Sequence, residues 1–231
     1  MARTVVVAGV GPGLGASVAH RFATEGCDVA LLARSASYLD GLAAELDGTE
    51  GSGLAVPTDL TDESAVREAF AEIREAFGPV DVLVNNASGA AWKGLRDVSV
   101  DELDRAWEVG PRGGFLCAQE AVEDMVAGDG GTVVFTGATT SVRGREGAVG
   151  FSAAKFAVRG IAESMARELG PEGVHVAHVV IDGQIRPDAD VADPEAYLDP
   201  DDVAETYWRL AEQNRSAWTL ELDLRPHVEE F

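Results

Sequence analysis

The chain contains a few groups of residues whose types and spacing could do chemistry. The most prominent is Gly9-Val-Gly11-Pro12-Gly13-Leu14-Gly15. Glycines at that density let a backbone turn tightly and approach a pyrophosphate, whose charge the N-terminus of a following helix can meet. Alone, such a turn is a weak signal, since a flexible turn with no ligand looks the same. Here it lies between a β-branched run, Thr4–Ala8, and a helical pattern, Gly13–Glu25, which is the context a dinucleotide site needs. At the end of the next apolar run stand Arg34 and Ser35. A carboxylate there would bind a ribose 2′-OH and select NAD, whereas an arginine suits the 2′-phosphate of NADP. An arginine merely solvated at a strand end is the bland alternative. Further along, Thr139-Thr140-Ser141, His175, His178 and Asp182 could orient or protonate a carbonyl. Hydroxyls are poor acids at neutral pH, however, and a strand histidine is more often a satisfied structural group.

These groups are positioned by a regular alternation of elements. Strand patterns at Thr4–Ala8, Asp28–Ala33, Gly53–Pro57, Val80–Val84, Gly131–Thr136 and Val174–Ile181 alternate with helical patterns, and a last strand is expected near Ala217–Leu222. The helices are read at Gly13–Glu25, Ser37–Asp47, Asp62–Phe77, Val100–Val109, Gly113–Val126, Ser152–Leu169 and near Asp201–Gln213, with Gly110-Pro111 separating the fourth from the fifth. Strands apolar on both faces call for a parallel sheet covered on both sides. The expected architecture is α/β: a three-layer Rossmann fold, a doubly wound parallel sheet of about seven strands, in a single domain over residues 1–231. The long irregular stretch Gly183–Pro200 reads as a lid or binding loop.

Taken together, the motifs resemble the short-chain dehydrogenase/reductases. Gly9-x-x-x-Gly13-x-Gly15 has that family's spacing, Asp59-Leu60 follows the third strand, and Asn85-Asn86-Ala87-Ser88 is similar to Asn-Asn-Ala-Gly after the fourth. Phe151-Ser-Ala-Ala-Lys155 matches Tyr-x-x-x-Lys without its tyrosine, and Val180-Ile-Asp182-Gly183 resembles the Pro-Gly turn after the sixth strand. The resemblance spans residues 3–222. It implies a dinucleotide held by Gly9, Gly11, Pro12, Gly13, Leu14 and Gly15 at the phosphates. Arg34, Ser35, Asp59 and Leu60 would hold the adenosine half, and Asn86, Ala87, Ser88, Asp182, Gly183 and Ile185 the remainder. Lys155 would hold the nicotinamide ribose. Arg34 favours NADP, with NAD as the alternative. The second basic residue that NADP-preferring members often carry in the glycine turn is missing, since Val10 and Pro12 stand there.

The resemblance also implies what has been lost. The family tyrosine, its general acid or base, falls on Phe151; the serine that polarises a carbonyl falls on Ala138, with Ser141 nearby; the relay asparagine falls on Gly110. Lys155 remains, one of only two lysines beside 16 arginines, and a random survivor is the competing reading. The expectation is an atypical NADP-dependent oxidoreductase for a small carbonyl or alcohol, with Lys155, Phe151, Ala138 and Ser141 marking the catalytic positions. The alternative is a catalytically silent NADP(H)-binding sensor or scaffold. Ala90, Trp92, Val142 and Phe151 would line a mostly apolar substrate pocket, and the family's helix pairing implies a homodimer or homotetramer.

Charge bounds the partners. Asp and Glu number 40 against 18 Lys and Arg, a formal charge of −22. The carboxylates are dispersed rather than gathered in a tail, which fits a surface adapted to a salt-rich cytoplasm where screening relieves self-repulsion. The charge argues against nucleic acid and anionic membranes as partners. No stretch has the length of a membrane span and no secretion signal is read, so a cytoplasmic location is expected. Cys27 and Cys117 read as reduced buried thiols without metal spacing.

Overall fold

A computed structural model describes residues 2–89, 91–187 and 191–229. Its strands are β1 (Thr4–Ala8), β2 (Asp28–Ala33), β3 (Ser52–Pro57), β4 (Val80–Asn85), β5 (Gly131–Thr136), β6 (Val174–Ile181) and β7 (Glu221–Leu224). They form one parallel sheet in the order β3-β2-β1-β4-β5-β6-β7. The helices are α1 (Leu14–Thr24), α2 (Ala36–Leu46), α3 (Glu63–Phe77), α4 (Val100–Trp107), α5 (Gly113–Ala127), α6 (Val149–Leu169) and α7 (Pro200–Ala211).

The five inner strands are buried on two faces, which is why their apolar runs are nearly unbroken, while the edge strands β3 and β7 are only half-buried. Val5 and Val7 join a core with Phe22, Leu39 and Tyr207 under α1, α2 and α7. Val6 and Ala8 join the opposite core with Phe70, Met125 and Val158 under α3, α5 and α6. This is the three-layer Rossmann arrangement expected from the sequence. Strand order reverses between β1 and β4, and that switch point opens a crevice at the strands' carboxyl ends.

Three boundaries differ from expectation. Gly110-Pro111 does not separate two helices. The chain runs from α4 through a widened π turn, Glu108–Arg112, directly into α5. Proline has no N–H to donate, and widening the turn lets the Gly113 N–H reach the Glu108 carbonyl five residues back, keeping the helix continuous. Helix α6 starts at Val149, three residues before Ser152. The last strand pairs later than expected because Trp218 stacks on His175 (centroids 5.1 Å apart) and the Gln213 side chain accepts from the Thr219 N–H (2.8 Å). Those contacts spend Ala217–Leu220 on a turn before β7 pairs with His178–Ile181.

Candidate functional site

The glycine turn follows β1 directly. Gly9 and Gly13 have φ of 99° and 97°, a region that residues with a Cβ rarely adopt. A Cβ on Gly9 would lie 2.3 Å from the Ala87 nitrogen, so the turn packs tightly against the segment after β4. That segment is tied back by the Asn86 side chain, whose Nδ2 donates to the Gly9 carbonyl at 2.8 Å. On the cleft side there is room, because a Cβ on Gly11 or Gly13 would meet nothing within 4 Å. Helix α1 begins with no side-chain cap and no acidic residue in its first turn. Its N-terminus therefore offers uncapped amides to an anion.

A cleft of about 770 Å³ spreads from this turn, large enough for a dinucleotide's adenosine and phosphates. Its walls include Gly9, Gly11, Pro12, Gly13, Leu14 and Gly15, then Arg34, Asp59 and Leu60, and on the other side Asn86, Ala87, Ser88 and Ile185. Ser35 is exposed outside that wall, and Gly183 lines an adjoining cleft of about 610 Å³ with Thr139, Arg143 and Tyr197. Asp59 Oδ1 accepts from the Thr61 N–H and hydroxyl (3.0 and 2.8 Å). Those bonds, aided by Arg105 and Arg34, hold its carboxyl below the usual range.

The sequence reading missed two arginines on this cleft, Arg105 of α4 and Arg186 of the loop after β6. Arg186 is held by Asp199 at 2.7 Å. Arg105 sits 90 residues beyond Gly15, the end of the glycine turn, and its one linear signal is being an arginine in a chain this acidic.

Lys155, on α6, is not among the residues lining that cleft; it is 5% exposed, with Nζ donating to the Thr136 carbonyl at 2.8 Å. Burial pushes its ammonium down to about 8. Phe151, one turn earlier, places its ring centroid 5.7 Å from that Nζ and stacks on Trp92 at 4.4 Å. Position 151 is thus an aromatic platform with no ionisable proton. Ala138 brings only a methyl. Ser141 is fully buried, its Oγ accepting from the Ala138 N–H at 3.0 Å, so it caps a 3₁₀ turn instead of facing the cleft. Gly110 lies inside the π turn without a side chain to relay a proton.

Of the other candidates for a proton donor, Asp182, His175 and His178 each hold partners, whereas Thr140 Oγ1, His175 Nδ1 and His178 Nε2 are buried without one among the described residues. Asp182 is buried, accepting from the Thr139 hydroxyl at 2.6 Å and pairing with Arg143 (3.4 Å) and Arg225 (3.1 Å). Its carboxylate oxygens are thus already engaged by these partners. His175 Nε2 bonds the Thr219 carbonyl. His178 is wholly buried with Nδ1 2.9 Å from Glu221. Burial pushes both imidazoles below their ordinary range, with the Glu221 carboxylate opposing the shift at His178. Trp92 and Val142 are exposed near the expected pocket, while Ala90 lies outside the described residues. Among the described residues no cluster of His, Cys, Asp and Glu could hold a metal, and no helix is long and apolar enough to cross a membrane.

A family model for short chain dehydrogenases matches residues 3–192, most of the sheet and the whole crevice. The chain belongs to the short-chain dehydrogenase/reductase family. Among members, it is 33% identical over 178 residues to a short-chain dehydrogenase/reductase of Armillaria gallica, covering 75% of this chain and 68% of that one. A short-chain dehydrogenase from Rhodopseudomonas palustris superposes with a TM-score of 0.84 at 33% identity, over 97% of this chain and 99% of the other. An alcohol dehydrogenase from the archaeon Thermococcus sibiricus, complexed with 5-hydroxy-NADP, superposes at 0.89 with 25% identity, over 100% and 99%. Relatives so named support an oxidoreductase. Within this short-chain dehydrogenase/reductase, the glycine turn opens on the large cleft, and Phe151 stands one turn before Lys155 on α6.

Proposed function

We propose that the chain is an NADP-dependent oxidoreductase for a small carbonyl or alcohol compound, working without the family's tyrosine. The observation that carries this reading is the uneven loss: the open glycine cradle, Asn86, Arg34 and Lys155 remain, while the positions at Phe151, Ala138 and Gly110 have lost their polar groups. The neighbour from Thermococcus sibiricus, complexed with a derivative of NADP, supports the choice of cofactor. In this reading, Gly9–Gly15 and the start of α1 bind the pyrophosphate, Arg34 and Asp59 the adenosine half, and Ser88, Gly183 and Ile185 the nicotinamide half. When bound, the nicotinamide donates or accepts the hydride. Lys155 holds the adjacent ribose with protons that the Thr136 carbonyl orients, and Phe151 with Trp92 excludes water from one side of the reacting carbon. No side chain there delivers a strong acid, so the proton comes from water and the substrate is one whose reduction needs little electrophilic help.

Exposed Leu103, Trp107, Phe115, Val149 and Phe156 on α4, α5 and α6 support a homodimer or homotetramer. The dispersed charge of −22 fits a salt-rich cytoplasm. The loss of three catalytic groups favours a second reading, a silent NADP(H)-binding sensor or scaffold. Steady NADPH oxidation across a panel of carbonyls and enones at molar KCl, lost in Lys155→Ala, supports the enzyme. NADPH binding without turnover of any panel member supports the sensor, and binding of neither nucleotide refutes both.

A further inference from the structure

In this acidic chain most of the cations find a carboxylate. Arg21 holds Glu205 at 2.6 Å, Arg74 holds Asp124 at 2.9 Å, and Arg159 holds Glu221 at 2.7 Å. Arg34 and Arg105, like Arg96, Arg112, Arg145 and Arg215, have no carboxylate within 4 Å among the described residues; of these six, Arg34 and Arg105 alone line the large cleft, and both are exposed. They reach the same end of it from different elements, Arg34 from the end of β2 and Arg105 from α4. Asp59 lines the same cleft as both arginines, and both help hold its carboxyl below the usual range. Asp59 does not neutralise them by direct contact, since neither guanidinium lies within 4 Å of its carboxylate.

Arg105 owes its position to a close approach of backbones. A Cβ on Gly89 would lie 2.8 Å from the Arg105 carbonyl and 2.7 Å from the Ala106 Cα, so α4 packs directly onto the segment after β4. That contact brings Arg105 over the cleft, one turn before Val109, which also lines it. The glycine turn has no cation of its own.

We propose that Arg105 is a specificity-determining residue, the second arm of a two-arginine clamp with Arg34 for the 2′-phosphate of the dinucleotide. The inference rests on the cofactor reading above and adds the residue that makes it selective. A phosphate monoester near neutral pH carries close to two charges and three acceptor oxygens, more than one guanidinium fork can satisfy. A lone exposed arginine would also work against the field of a chain with a net charge of −22. Two guanidiniums converging from β2 and α4 match both the charge and the number of acceptors.

The test is an equilibrium titration of NADPH and NADH, followed by nicotinamide fluorescence, on wild type, Arg34→Ala, Arg105→Ala and Arg105→Lys. Competition by 2′,5′-ADP reports the phosphate subsite alone. Arg105→Ala is expected to weaken NADPH and 2′,5′-ADP by roughly 5- to 30-fold, the lower part of what charged hydrogen bonds contribute, while NADH changes less than about twofold. Arg105→Lys should recover part of the loss, and the loss should shrink in molar KCl as screening weakens the clamp. If wild type prefers NADPH but Arg105→Ala leaves the preference intact, or weakens both nucleotides alike, the clamp is refuted and the cofactor reading stands. If wild type has no preference for NADPH, both fall.

Discussion

Phe151→Tyr should restore the missing acid, and the surrounding geometry sets the size of the gain. Lys155 Nζ lies 5.7 Å from the Phe151 ring centroid, and its ammonium, at about 8, is largely protonated at neutral pH. A phenolate formed at about that distance would be stabilised by roughly 3 kcal/mol at an effective dielectric of ~20, or about 2 pKa units. A phenol starting near ~10 would then titrate near ~8, close to the operating pH where general acids work best. The hydroxyl is added at the ring's edge, so the stack on Trp92 at 4.4 Å need not change. The expected gain in kcat/KM for carbonyl reduction is on the order of a hundredfold or more. Adding Ala138→Ser should raise it further by supplying a hydroxyl to the carbonyl oxygen. The assay is NADPH oxidation across the neutral-to-alkaline range, with NADPH affinity measured in parallel. Reduction should fall as pH rises through the new group's pKa, and oxidation of the matching alcohol should rise. A variant that binds NADPH as wild type does yet gains no rate would refute the reasoning, because acid, lysine and cofactor would all be present without catalysis.

Three further predictions concern Lys155 and the glycine turn. Lys155 has a folded pKa of about 8 against an unfolded value near ~10.4, so the unfolded state binds more protons between the two and stability should rise with pH across that window. Below about 8 the fold bears a buried charge costing on the order of 3 kcal/mol. Lys155→Met should therefore stabilise the protein at neutral pH by roughly 1–3 kcal/mol, after the lost bond to Thr136 is counted, and flatten the slope while weakening nucleotide binding. Urea denaturation at neutral and alkaline pH checks this, and an unchanged slope in the variant would count against it. In the glycine turn, Gly9→Ala meets both a positive φ and the Ala87 nitrogen at 2.3 Å, and should cost about 2–5 kcal/mol, seen as a lower Tm. Gly11→Ala faces open cleft and should keep the wild-type Tm while losing nucleotide affinity; a fall in Tm there would contradict the assignment of that space to a ligand.

The sequence by itself determined the sheet, its apolar two-faced strands, and the placement of the glycine turn and Lys155. These are written locally: period and β-branching within Thr4–Ala8 or Val174–Ile181, and the four-residue spacing that puts Phe151 and Lys155 on one turn of α6. The tertiary structure decided whatever depends on elements meeting from far apart in the chain. Packing of Gly89 under Ala106 delivers Arg105 to the cleft, and no linear pattern marks it. Asp182 and Ser141, plausible as chemistry from their positions, are used up by Arg143, Arg225 and the Ala138 amide. Pro111 reads as a helix break because a missing donor normally costs a turn, but the flanking segments pack well enough to carry α4 into α5 through a wider one. A side chain's partners and its desolvation are properties of the packed fold, so only the fold could separate the groups open to the cleft from those already committed elsewhere.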